Sequence, residues 1–223
     1  MQKNGNSPLI IGHRGASSLA PENTFAAFQK AIEDGADGLE LDVRLAKDGV
    51  PVVFHDATLR RIVGKRVRVI SLTSEELKAY DVGSWFNLKY PNKFNSKFSQ
   101  ETIPTLEQFL DFLGDYQGLI YLELKCKETE IPQLVKAVTE IVKKSKLFAN
   151  ITIKSFKLEA IAWANKLLPE VRTAALFAPK IMTLLDKQSC LIEKAQECKA
   201  DELSLHFSLA THKLVEKAKA QGM

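Results

Sequence analysis

Short apolar runs alternate with amphipathic segments along nearly the whole chain, and this pattern limits the possible folds more than any other feature. Seven apolar runs are predicted strands, at residues 8–15, 38–45, 50–56, 119–125, 151–156, 171–177 and 201–207. The predicted helices cover residues 23–35, 105–114, 131–148, 157–168, about 181–199 and 211–221. Strands that alternate with helices of this length favour right-handed crossovers and a parallel sheet.

The order of these elements predicts an α/β fold of the (β/α)₈ TIM-barrel type. A doubly wound open sheet is the alternative, but "GHRGAS" after the first strand is not the glycine-rich phosphate loop that such folds often carry. A closed barrel needs one more strand, whereas the sequence ends soon after the helix that follows strand seven. We therefore expect the last strand to be missing, through a lost C-terminus or a truncated variant.

Residues 57–102 interrupt this pattern. They contain "SLTSEELKAYD", a predicted short helix with Thr73 and Glu76 as its capping box, and otherwise show little periodicity. The segment is too long for a simple connector and too weakly apolar for an independent domain. We predict a single domain over residues 1–223, with 57–102 as a small insertion after strand three.

Composition and charge exclude several classes of protein. The 223 residues carry a net charge of only +4, and no basic run is long enough to favour nucleic acid as a partner. No stretch approaches the length of a membrane-spanning helix, and "MQKNGNSPLI" lacks the layout of a secretory signal. We expect no stable membrane insertion and a cytoplasmic location, and the sequence makes no prediction of oligomeric state.

Two predicted strands carry acidic residues where buried apolar ones are the rule. Glu40 and Asp42 lie two residues apart in strand two and so share a face, and Glu123 lies in strand four. Burying such carboxylates together is very unfavourable unless a cation joins them or they are protonated. Oxygen ligands without cysteine suit Mg²⁺ or Ca²⁺ better than zinc. The pattern predicts a site for one divalent cation.

Other polar residues lie at the same predicted edge of the sheet. His13 and His55 end strands one and three, and Lys125 shares a face with Glu123. Each has a simpler interpretation: the histidines could be structural, and Lys125 could simply pair with Glu123. Asp56, which follows His55, is interpreted as a turn or helix cap. Because barrel active sites form at the carboxyl ends of strands, the convergence of ionisable groups from four strands favours a catalytic site.

Several of these motifs occur in one ordered series. Residues 12–61 contain "HRG", "PENT", "ELDV" and "HD", and "ETIPTLEQFLDFL" and "LIYLELK" follow at 101–113 and 119–125. The series closely resembles the glycerophosphodiester phosphodiesterases. The resemblance implies a (β/α)₈ barrel with an insertion after strand three. It also implies metal-dependent hydrolysis of a small glycerophosphodiester to glycerol 3-phosphate and an alcohol, with one divalent cation, Mg²⁺ or Ca²⁺.

The resemblance also implies roles for individual residues. Glu40, Asp42 and Glu123 are the expected metal ligands, His13 and His55 the acid–base pair, and Arg14 and Lys125 the phosphate-binding residues. Glu22 and Asn23 of "PENT" are expected to support these groups, and Asn23 is also predicted to cap the first helix.

Two other functions are compatible with the sequence. One is a lysophospholipase D-like activity on lipid phosphodiesters, and the other is a non-catalytic phospholigand-binding protein on the same fold. For the hydrolase, we expect the neighbouring glycerol hydroxyl to attack phosphorus and form a cyclic phosphate that is then hydrolysed. Direct attack by water is the alternative.

Overall fold

The computed structural model describes residues 7–179 and 188–223. The strands are β1 (Ile11–His13), β2 (Gly38–Leu45), β3 (Pro51–Val53), β4 (Leu119–Leu124), β5 (Ile151–Ser155), β6 (Arg172–Phe177) and β7 (Glu202–Leu205). The α-helices are α1 (Phe25–Glu33), α2 (Arg60–Val63), α3 (Ser74–Lys78), α4 (Ser84–Lys89), α5 (Leu106–Leu113), α6 (Ile131–Lys144), α7 (Leu158–Leu167), α8 (Gln188–Glu197) and α9 (His212–Lys219). Each observed strand lies within a predicted one. Helix α8 confirms the second half of the helix predicted at about 181–199, and the first half falls largely outside the described residues.

The chain divides into two compact units, Met1–Tyr121 and Leu122–Met223. In the first unit β1 pairs with β2 in parallel, with His13 opposite Glu40. Strand β4 starts in this unit, where the amide of Leu119 donates to the carbonyl of Asp37, next to the start of β2 (3.0 Å).

The third strand departs from the expected parallel sheet. It pairs with β2 in antiparallel register, Val43 opposite Val53. Residues 46–50 between the two strands are too few for a helical crossover, so the chain can only return as a hairpin. The signal was present in the sequence as "KDG", since an Asp-Gly step between two apolar runs is typical of a hairpin turn.

The segment predicted as an insertion lies wholly in the first unit. It contains α2, α3 and α4, with one 3₁₀ turn between α2 and α3 and two more after α4, and the predicted capping box at Thr73 and Glu76 is present. Its apolar side chains pack in two clusters, one of which includes Val52 and Phe54 of the hairpin region. The other contains Phe86 and Phe98, whose rings meet edge to face. The segment is therefore packed against the rest of the first unit, at the β2–β3 hairpin and near Ala20 and Ala27.

The second unit continues the strand–helix alternation. The hydroxyl of Ser155 at the end of β5 donates to the carbonyl of Leu124 (3.0 Å), and β5, β6 and β7 pair in parallel. Helices α7, α8 and α9 contribute to one buried cluster that includes Ile161, Leu191 and Leu214. The α/β fold class is confirmed, with the strand–helix order of a (β/α)₈ barrel. Among residues 7–179 and 188–223, no helix has the length and hydropathy needed to cross a membrane.

Candidate active site

The end of β1 brings a histidine beside a buried carboxylate. Nε2 of His13 lies 3.8 Å from Oε2 of Glu40. The imidazole of His13 is 64% exposed, whereas the carboxylate side chain of Glu40 is only 3% exposed. The backbone amide of Arg14 donates to both the carbonyl (2.8 Å) and the carboxylate (3.1 Å) of Glu40. The parallel register of β1 and β2 therefore fixes the Glu40 carboxylate under an imidazole that faces solvent.

The turn after β1 depends on a glycine. Arg14 and Gly15 both have a positive φ, 58° and 76°. A Cβ atom on Gly15 would lie 2.5 Å from the carbonyl carbon of Ala27 in α1, closer than a real contact allows. The amide of Ala16 donates to the same carbonyl group (2.8 Å). The "HRG" motif thus lets the loop rest on the first helix and directs the Arg14 side chain toward β2.

Asp42 is fully buried and held by two side chains of the same unit. Nε of Arg14 lies 3.1 Å from Oδ2 of Asp42, and the amide nitrogen of Asn23 donates to the same oxygen (2.9 Å). The carbonyl oxygen of Asn23 in turn accepts from the backbone amide of Asp42 (3.3 Å). These contacts orient the carboxylate and offset part of the cost of burying it.

The cap of α1 differs from the prediction. Thr24, not Asn23, caps the helix, because its hydroxyl accepts from the amide of Ala27 (3.3 Å). A cap residue needs an extended backbone, which Thr24 has, whereas Asn23 has a φ of 58° and its amide is engaged by Asp42. The expectation that Asn23 supports the acidic residues agrees with these contacts, and its role as a cap is wrong.

His55 follows β3 and is fixed at both its backbone and its ring. Its carbonyl accepts from Nε of Arg44 in β2 (2.7 Å), and its Nδ1 lies 2.6 Å from Oδ1 of Asp56. The other oxygen of Asp56 accepts from Nε of Arg61 (2.6 Å). Burial alone would raise the pKa of Asp56, but hydrogen bonds from Arg61 and His55 lower it below its ordinary value. Asp56 is therefore an ionised partner of the imidazole.

The interpretation of Asp56 as a helix cap is wrong. Helix α2 begins at Arg60 with no side-chain capping bond. Sequence reasoning also overlooked Arg61, which gave no signal beyond being one of two adjacent arginines in "LRR". Only the fold shows that one of them turns toward the site.

Glu22 links two arginines. Its carboxylate accepts from Nη1 of Arg14 (2.9 Å) and from Nη1 and Nη2 of Arg61 (2.9 and 2.6 Å). Burial opposes ionisation, yet the hydrogen bond from Arg61 and the charges of both arginines lower the pKa of Glu22. The hydrogen bond to Glu22 is also the main reason that the pKa of Arg61 is raised. Glu22 and Arg61 are therefore both charged at neutral pH.

In the second unit the structure brings Glu123 and Lys125 together. Nζ of Lys125 lies 2.5 Å from Oε1 of Glu123, and the Glu123 side chain is only 5% exposed. The ammonium also lies 5.7 Å from the centre of the Phe156 ring. The alternative that these two residues pair with each other is thus realised, and the pair balances the charge of a buried carboxylate.

Comparison with known proteins gives a consistent family assignment. The family described as "Glycerophosphoryl diester phosphodiesterase family" matches residues 13–223. The chain belongs to this family. It is 37% identical over 169 residues to a glycerophosphodiester phosphodiesterase of Caldanaerobacter subterraneus, and the aligned region covers 76% of this chain and 66% of that protein. A glycerophosphodiester phosphodiesterase of Bacillus subtilis is 33% identical over 180 residues, covering 78% of this chain and 61% of the relative. The chain thus spans less than two thirds of the length of these curated relatives.

Solved structures of the family share the fold. A phosphodiesterase of Oleispira antarctica, solved with the product sn-glycerol-3-phosphate, matches with a TM-score of 0.83 and 31% identity. The match covers 96% of this chain and 81% of that one. A protein described as a glycerophosphodiester phosphodiesterase of Galdieria sulphuraria matches with a TM-score of 0.78 and 28% identity, over 97% and 82% of the two chains.

Proposed function

We propose that the protein hydrolyses glycerophosphodiesters to glycerol 3-phosphate and an alcohol. Family membership supports the reaction class, and the product bound to the Oleispira antarctica protein indicates the kind of substrate. The observation that carries the proposal for this chain is the arrangement around β2. There, buried Glu40 and Asp42 lie beside an exposed imidazole and an arginine.

We propose that Glu40, Asp42 and Glu123 bind one divalent cation, Mg²⁺ or Ca²⁺. Each of the three offers a carboxylate oxygen from a buried side chain. A set of carboxylates without sulfur or imidazole is the ligand set that hard cations prefer, so the residues fit the ion that the family assignment implies. When bound, such an ion supplies positive charge that stabilises negative charge developing on the phosphate oxygens.

The phosphate group would be bound by Arg14 and Lys125. A guanidinium carries five N–H donors, and the contacts of Arg14 with Asp42 and Glu22 use the Nε and Nη1 atoms. The remaining donors suit the nonbridging oxygens of a phosphodiester, which an arginine binds well. Lys125 would add a second positive charge while it remains paired with Glu123.

The proton transfers would fall to His13 and His55. Because Nδ1 of His55 faces the ionised carboxylate of Asp56, that nitrogen carries the proton and Nε2 is the basic atom of the neutral ring. The second imidazole, that of His13, is exposed to solvent beside Glu40. One imidazole would take the proton of the attacking hydroxyl, and the other would protonate the departing alkoxide as the phosphorus–oxygen bond breaks.

An assay of glycerol 3-phosphate release from glycerophosphocholine tests the proposal. The wild-type protein should release the product with added Mg²⁺ or Ca²⁺ and lose this activity with a chelator. His13→Ala should lower kcat by on the order of 10²–10⁴, whereas His212→Ala, an exposed histidine in α9, should leave it unchanged. Equal activity of the two variants would remove His13 from the chemistry.

The same assay separates the alternatives. Turnover of a lysophospholipid but not of glycerophosphocholine would favour the lipid phosphodiesterase, and tight binding of glycerol 3-phosphate without turnover would favour a non-catalytic protein. A substrate analogue without the neighbouring hydroxyl distinguishes the two nucleophiles, because unimpaired turnover would exclude the cyclic phosphate. The cytoplasmic location and the absence of a nucleic-acid partner stay predictions from the sequence, and a role in lipid and glycerol metabolism would follow from the proposed reaction.

A further inference from the structure

A series of ionic contacts runs through the first unit from a buried acid to a histidine ring. It passes through six side chains whose charges alternate in sign up to the imidazole. In order these are Asp42, Arg14, Glu22, Arg61, Asp56 and His55. The contact distances between successive members are 3.1, 2.9, 2.6, 2.6 and 2.6 Å. Each charged side chain therefore attracts the next one in the series, and no two like charges are adjacent.

We propose that Glu22, Arg61 and Asp56 are positioning residues that hold the His55 ring and the Arg14 guanidinium in a fixed relation to each other. This inference rests on the proposed function, in which the ring moves a proton and the guanidinium binds the phosphate. None of the three is assigned a contact with substrate. They act through the two groups that do contact it.

Arg61 is the central member because it is the only described side chain with ion pairs to both Glu22 and Asp56. Its Nη1 and Nη2 bind the two oxygens of Glu22 in a bidentate contact, and its Nε binds Asp56. A guanidinium is planar and rigid, so the two carboxylates are held at a fixed separation in a way that a flexible ammonium does not reproduce. The lowered pKa of both carboxyl groups is consistent with their ionisation across the range in which a histidine titrates.

Asp56 sets the ring orientation of His55. The backbone of His55 is anchored separately by Arg44, so the contact at Nδ1 is left to fix rotation of the ring. If Asp56 lost its bond to Arg61, it would be free to turn away, and the ring would sample positions in which Nε2 is misdirected. A displacement of about 1 Å at a reacting group can cost on the order of 100-fold in rate.

Arg60 offers a matched control for Arg61. It is the preceding residue in the chain, it is exposed, and it carries the same charge. Arg61→Gln should lower kcat for glycerophosphocholine on the order of 10-fold to 100-fold with a smaller rise in KM, because Arg14 keeps its bond to Asp42. Arg60→Gln should leave both constants within about twofold of wild type. Arg61→Lys should recover only part of the loss, since an ammonium cannot bind both carboxylates in the same fork.

A double-mutant comparison and an NMR readout complete the test. Asp56→Asn combined with Arg61→Gln should cost less in kcat than the product of the two single effects, because both break the same link. ¹⁵N NMR of the histidine rings measures the populations of the two neutral tautomers of His55. The Nδ1–H tautomer should be dominant in wild type and in Arg60→Gln, and it should no longer dominate over the Nε2–H tautomer in Asp56→Asn and Arg61→Gln.

The two proposals can fail separately. If wild type is inactive but the NMR response follows Arg61, the positioning contacts stand and the proposed function fails. If wild type is active while Arg61→Gln changes only the melting temperature, with kcat and the His55 signal unchanged, the positioning proposal is overturned.

Discussion

The contact between Asn23 and Asp42 makes a quantitative prediction about stability. Asn23 is buried, donates a 2.9 Å hydrogen bond to a fully buried carboxylate and holds a φ of 58°. Replacement by alanine removes a hydrogen bond to a charged group, worth about 1.5–3 kcal/mol. Alanine also tolerates the left-handed region less well than asparagine, which adds a smaller cost of at most about 1 kcal/mol because both residues have a Cβ. We expect Asn23→Ala to lower the free energy of unfolding by about 3 kcal/mol.

Two companion variants separate these contributions. Asn23→Gly loses the same hydrogen bond but accepts the positive φ, so it should cost about 1 kcal/mol less than the alanine variant. Thr24→Ala removes the actual cap of α1 and should cost about 1 kcal/mol. Urea unfolding monitored by circular dichroism measures all three. Equal losses in the alanine and glycine variants, or a loss below about 1 kcal/mol in Asn23→Ala, would contradict this account of the site.

Three further perturbations test other residues of the proposed machinery. Gly15→Ala should destabilise the fold by at least about 2 kcal/mol, because the added Cβ meets the backbone of Ala27. Gly35 has a similar φ but open space around it, so Gly35→Ala should cost less, and urea unfolding of the two variants measures the difference. Glu22 has a lowered pKa in the folded state, so its ionised form contributes stability that is complete above its unfolded pKa of about 4.3 and is lost as pH falls through the lower folded value. Glu22→Gln should therefore reduce stability at neutral pH, and its difference from wild type should vanish in strong acid; a difference independent of pH would refute the ionic role of Glu22. Lys125→Met should raise KM for glycerophosphocholine more than it lowers kcat, and an unchanged KM in steady-state assays would remove Lys125 from phosphate binding.

Much of the fold could be predicted because its signals are local. Each strand is a short apolar run, and the capping box at the start of α3 is a four-residue pattern that the structure reproduces. The direction of β3 was misjudged because the parallel rhythm elsewhere outweighed a hairpin turn at residues 46–50. The turn is nevertheless encoded locally, by the Asp-Gly step at residues 48–49.

The site was predictable only in part, for a physical reason. Strand periodicity indicates that Glu40 and Asp42 share a face, and that inference needs only the backbone. The partners of Asp42 and His55 come from loops, where a residue with a positive φ such as Asn23 can turn its side chain away from the expected helix cap. Arg61 meets Glu22 across 39 positions of sequence, and no local pattern encodes such a contact.

We propose above that Glu40, Asp42 and Glu123 bind one divalent cation. Calorimetric titration of the metal-free protein with Mg²⁺ and Ca²⁺ tests this binding most directly. The proteins to compare are wild type, Glu40→Gln, Glu123→Gln and the control Glu128→Gln. Glu128 is a suitable control because its exposed side chain pairs with Lys157. We expect one site in wild type and in Glu128→Gln, and an affinity at least 10-fold weaker in the other two variants, on the order expected for loss of a ligand contact. Undiminished binding in both Glu40→Gln and Glu123→Gln would contradict the claim.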